Sequence, residues 1–108
     1  MLATGEPERL YSGLSVLVST AADGERCAAL ATFRALELLL RERDAGAADR
    51  FERSLGELIA SARALEPLEL YACAASVDLL EIEGDPLDGV MSTPRFLRET
   101  RGATLIFV

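Results

Sequence analysis

The hydrophobic period changes within residues 68–82, LELYACAASVDLLEI, and that change constrains the fold more than any other feature of the chain. Leu68 and Leu70, with Tyr71 and Ala72 beside them, read as a short buried strand, whereas residues 75–80 carry the apolar spacing of a helix. Cys73 stands at the switch. In a parallel α/β unit such a junction lies at the carboxyl edge of the sheet, where ligands and catalytic groups collect. The first free N–H groups of the following helix would face the sulfur and favour thiolate over thiol. Any chemistry is therefore expected to pass through Cys73.

What surrounds that junction excludes several alternatives. A chain of 108 residues, half of them apolar, holds one core and not two. Its net charge is −7 and all eleven basic residues are Arg, with no clustered basic patch, so neither nucleic acid nor an anionic membrane is expected as partner. There is no His, which removes a Ser-His-Asp triad, a Cys-His pair and a His-ligated zinc site together. Lys, Trp, Asn and Gln are absent too. The lone glycine of Asp23-Gly24 is far short of a phosphate-binding fingerprint, and Glu83, Asp85 and Asp88 match no calcium loop and read as a solvated turn. No metal or cofactor is expected. Cys27 and Cys73 are far apart in a chain with no signal-like start and no apolar run of transmembrane length, which predicts a cytoplasmic protein with reduced thiols.

Along the chain, residues 1–13 read as an irregular N-terminal tail with at most a helical turn near residues 8–11, and residues 14–108 as a single domain. LSVLVS, residues 14–19, is short, β-branched and bounded by turn residues, which predicts a buried strand. A helix is expected over 25–43, with Asp23 as its cap, Gly46 just past its end and a Glu37–Arg41 pair on its surface. Phe51, Leu55, Leu58, Ile59, Ala62 and Leu65 form one apolar face and predict a second helix over 48–65, closed by Pro67. Residues 83–92 read as a loop, Thr93-Pro94 as a cap and first position of a short helix ended by Gly102, and the terminal ATLIFV as a buried strand. Three strands interleaved with helices predict an α/β fold, a mostly parallel sheet covered on both faces. So thin a sheet has edges that a second copy would cover, predicting a homo-oligomer.

LSVLVS followed by AALATFRALELLL, the cysteine strand LELYACAAS, the loop ending LDGVM and the terminal TLIFV together resemble the DsrE/DsrF-like proteins of bacterial sulfur relay and sulfur oxidation. The resemblance spans most of residues 14–108 and implies a small flavodoxin-like three-layer fold, homo-oligomeric assembly, and sulfur donor and acceptor proteins as partners. It also implies that Cys73 carries sulfur as a persulfide. The chain departs from the family twice: residues 43–65 read as turn and helix where the family has a strand, and the Arg-Arg-Gly that follows the cysteine in well-characterised carriers is missing, with Asp78 and Leu79 in its vicinity.

Other readings of these residues stand beside that one. Cys73 also fits a small hydrophobe at a strand end, leaving a non-catalytic oligomeric module that binds a small molecule or protein. Cys27, read in the first turn of a helix after the first strand, falls at the same sheet edge as Cys73, and a reversible disulfide between them would make a thiol redox sensor if their Cα atoms lay within about 7 Å. Ser19, Thr20 and Ser76 are candidates to bond a ligand at that edge, or caps of helix and turn. Met91, with Phe96 and Tyr71, lines an apolar pocket beside Cys73 or fills the core.

Overall fold

A computed structural model of the chain describes residues 1–43, 49–84, 86–104 and 107–108. Its first helix, α1 (Pro7–Ala22), includes the stretch expected to be a strand. The six residues LSVLVS look β-branched in isolation, but Leu10, Leu14, Leu17 and Ala21 continue a helical stripe through them, and Leu10, Leu14 and Ala21 are buried along it. Val16, placed on the outer side of that helix, is 51% exposed. Pro7 starts the helix where its missing N–H costs nothing. The residues ahead of it are not a loose tail either: Leu2 is 2% exposed and bridges in parallel to Ala31.

Strand β1 (Cys27–Ala31) and helix α2 (Phe33–Leu40) occupy the region expected to be one long helix. CAALA carries little strand propensity, and its assignment is a tertiary effect: it registers residue for residue against β2 (Leu68–Cys73), from Cys27 opposite Leu68 to Ala31 opposite Ala72. The small side chains of Ala29 and Ala31 join the large core cluster. The expected Glu37–Arg41 pair does not form; Glu37 pairs with Arg34, and Arg41 with Glu52 on the next helix. That helix, α3 (Arg50–Ala64), follows the periodicity read from the sequence, burying Leu55, Ile59 and Ala62 and capped by Asp49, which accepts from the N–H groups of Phe51 and Glu52. The turn expected around Gly46 lies outside the described residues.

After β2 come α4 (Ala74–Leu79), a two-residue β3 (Val90–Met91) within the expected loop, and α5 (Thr93–Glu99). Asp88 is an exposed turn residue, as expected, and it also ties the loop to β2: its carboxylate accepts from Leu70 N–H at 2.7 Å and its own N–H donates to Leu70 C=O at 2.9 Å. Asp85 lies outside the described residues. Of the terminal segment, Leu105 and Ile106 do too; Phe107 is 68% exposed, while Val108 exchanges backbone bonds with Met1 and Ala3.

The fold is α/β, a three-stranded parallel sheet in the order β1-β2-β3 flanked by helices, consistent with a small flavodoxin-like domain. Alternation sorts its side chains. Leu68, Leu70 and Ala72 face the large cluster under α1 and α3, while Tyr71 and Cys73 face a small one of Leu30, Met91 and Phe96 under α5. Topology explains the imbalance. Right-handed crossovers that step in one direction across the sheet deposit their helices on the same face, and among the described residues α5, after the last strand, is the only helix on the other.

Candidate functional site around Cys73

Cys73 is the last residue of β2 and the N-cap of α4, so the switch in period read from the sequence is the carboxyl edge of the sheet. Three elements converge on it. β3 brings Met91 into register beside Cys73, α5 brings Thr93, whose Oγ1 is 3.8 Å from Cys73 Sγ, and α4 brings Ser76. The cap of α5 is Ser92, one residue earlier than expected, accepting from Arg95 N–H. That shift releases the Thr93 hydroxyl to meet the sulfur.

Ser76 has no exposed surface, and its hydroxyl oxygen accepts the N–H of Phe33 at 3.0 Å. Phe33 follows β1 with φ of 38°, a left-handed conformation that costs a bulky residue on the order of 1–3 kcal/mol, and this bond helps to hold it. The same hydroxyl also favours the ionised form of the Cys73 thiol. Burial raises the thiol's pKa, but the N–H and hydroxyl of Ser76, the hydroxyl of Thr93 and the N–H of Ala75 together outweigh burial and lower it below the ordinary 9.0. The residue is 4% exposed. The sulfur is thus a stabilised, polar-lined nucleophile that is covered from solvent, a combination that requires movement of the cover before any second sulfur can reach it.

The structure brings Ser76 and Met91 to Cys73 and leaves the other candidates elsewhere. Ser19 and Thr20 lie in the last turns of α1, which leads into the amino end of β1, and Thr20 Oγ1 bonds back to Val16 C=O. Cys27 opens β1 opposite Leu68, the first residue of β2, whereas Cys73 is the last. Five residues of strand separate the two levels, roughly 16 Å at 3.3 Å per residue, which exceeds the reach of a disulfide. Both thiols are free. The Cys27 thiol is pushed up, first by burial and then by the Glu25 charge. Sequence reasoning missed Thr93 and Phe33; the doubled cap signal Ser92-Thr93 was the clue to the first, and nothing local marks the second.

Among the described residues no group of His, Cys, Asp and Glu could hold a metal ion, and no helix is long and apolar enough to cross a membrane. No protein-family model matches the chain, and no curated protein matches it.

Proposed function

We propose that this chain is a DsrE-like sulfur carrier that accepts and passes on sulfur as a persulfide of Cys73. The observation that carries the proposal is the setting of Cys73, the last residue of β2 and the N-cap of α4 with Thr93 Oγ1 3.8 Å from its sulfur, where polar neighbours lower a thiol pKa that burial alone would raise. A structural cysteine filling a strand end needs no donors around its sulfur; a nucleophile does. In the loading step the Cys73 thiolate attacks the terminal sulfur of a donor persulfide, forming a new S–S bond as the donor's own S–S bond breaks and the donor leaves as a thiolate. No electrons enter or leave. The same donors that stabilise the thiolate would then hold the persulfide anion.

Loading requires the first turn of α5, which carries Thr93, to move from the sulfur, and this short helix is the sole helix over its face of the sheet among the described residues. The thin cover also supports assembly of copies through that face, where Tyr71 and Ala28 are only half buried. The test is mass spectrometry of the chain after incubation with a low-molecular-weight persulfide, with and without prior alkylation. The proposal expects one added sulfur on Cys73 and none on Cys27. A Cys73 that stays unmodified while Cys27 reacts sinks it.

A further inference from the structure

The face of the sheet under α5 keeps a cavity of about 380 Å³ between the strands and the second half of that helix. Its floor is aromatic and apolar. Met91 and Phe96 reach it from the small core cluster, and Tyr71, packed on that cluster and half buried, presents its ring to the open side. Its walls are charged: β2 contributes Glu69, the end of α5 Glu99, the turn beyond it Arg101, and the residue ahead of β1 Arg26. In a chain of net charge −7, the described residues lining this cavity carry equal numbers of each sign.

These charges do not use one another up. Arg26 reaches Glu69 at 3.4 Å, and Arg95, which does not line the cavity, holds Glu99 Oε1 at 3.0 Å. Glu99 Oε2 and the Arg101 guanidinium have no partner among the described residues. The tyrosine end is the negative one, since the bond to Glu69, then burial, then the charges of Glu69, Asp88 and Glu99 push the Tyr71 pKa up to about 12. Such walls reject a simple ion of either sign, because an anion drawn to Arg101 also faces Glu69 and Glu99, and a cation drawn to those carboxylates also faces Arg101 and Arg26. A dipolar molecule satisfies both, and the floor takes an apolar group attached to it. The volume suits a small molecule and excludes a folded partner.

We propose that this cavity binds a free α-amino acid with an apolar side chain. Its ammonium group lies towards Glu69 and Glu99, its carboxylate on Arg101, and its side chain against Tyr71, Met91 and Phe96. Cys73 is not among the walls, and the site stands whether or not that residue carries sulfur.

The test titrates the full chain with L-phenylalanine while the amide resonances of Tyr71 and Thr100 are followed. Expected is a saturable shift of both. L-Phenylalaninamide, which lacks the carboxylate, and 3-phenylpropionate, which lacks the ammonium, should each bind about tenfold more weakly, the loss of one charge-assisted bond. Arg101→Gln should weaken L-phenylalanine by about the same factor and leave the binding of L-phenylalaninamide unchanged; Glu99→Gln should weaken L-phenylalanine and spare 3-phenylpropionate. Variants that merely disturbed the fold would weaken every compound alike. Four results would overturn the proposal: no shift at these amides up to millimolar L-phenylalanine, equal binding of the three compounds, a loss in the variants that is the same for all of them, or an assembly of copies that buries Tyr71 and Glu99 against a second chain.

Discussion

The two cysteines sit at opposite ends of the same sheet and invert the usual link between exposure and acidity. Cys27, half buried at the amino end, has its thiol pKa raised; Cys73, almost fully buried at the carboxyl end, has its thiol pKa lowered. Burial opposes ionisation in both. The difference is in donors. At the amino end of a parallel strand the sulfur has the Glu25 carbonyl at 3.7 Å and the Glu25 charge nearby, an acceptor and an anion. At the carboxyl end it has two backbone N–H groups and two hydroxyls. Strand polarity and the helix that follows decide thiol chemistry here, more than access to water does.

The largest effect that could break this comparison is in sulfur uptake. Cys73→Ser should abolish persulfide formation and Cys27→Ser should leave it intact; mass spectrometry of both variants after sulfur loading reads the outcome, and the reverse pattern would undo the assignment of roles. Next comes Ser76→Ala. It leaves Phe33 N–H without its acceptor in a part-buried, strained turn, and should cost about 1–3 kcal/mol of stability in chemical denaturation. It should also raise the Cys73 pKa, seen as an alkylation profile moved to higher pH. Thr93→Val separates the two effects. It removes a hydroxyl from the sulfur without taking an acceptor from any backbone donor, so the profile should move in the same direction while stability changes by less than about 0.5 kcal/mol.

The same comparison gives opposite slopes of stability against pH. A thiol with its folded pKa lowered contributes stability that is complete above 9.0 and is lost as pH falls through the folded value. One with its folded pKa raised contributes stability that is complete below 9.0 and is lost as pH climbs through the folded value. Removing Cys73 should therefore flatten the rise in stability approaching pH 9, and removing Cys27 the fall beyond it.

The carboxyl end of the sheet was legible in the sequence and the amino end was not, for a physical reason. Leu68 to Cys73 combines alternation, a preceding proline and a helical pattern beyond, and each of those signals is local. CAALA has none of them. It is a strand because β2 offers it a ladder and because alanines let the helix layer approach, neither of which a window of sequence contains. The misassigned LSVLVS is the converse, since six residues with two valines favour a strand until Leu10 before them and Ala21 after them extend the helical stripe. Placing Cys27 on a helix then carried it, with Ser19 and Thr20, to the wrong end of the sheet. The site was read through Cys73, Ser76 and Met91 and missed at Thr93, where a one-residue shift in the cap of α5 decides what the hydroxyl touches.

Tyr71 gives the smallest of these effects and the cleanest control. It lies on β2 two residues before Cys73 and on the same face, so it shares the thin cover of α5 but has no helix N-terminus beside it. Its hydroxyl donates to the Glu69 carboxylate; that bond, then burial, then the charges of Glu69, Asp88 and Glu99 push its pKa up to about 12. A phenol held protonated in the fold contributes stability that is complete below its ordinary 10.0 and is lost as pH rises towards 12. Tyr71→Phe should leave the Cys73 alkylation profile unmoved and remove only this alkaline loss, followed by denaturation between pH 9 and about 12. If the profile moves as well, the acidity of Cys73 is a property of the whole face rather than of the donors at the start of α4, and the contrast with Cys27 would have to be rebuilt on the field of the sheet face.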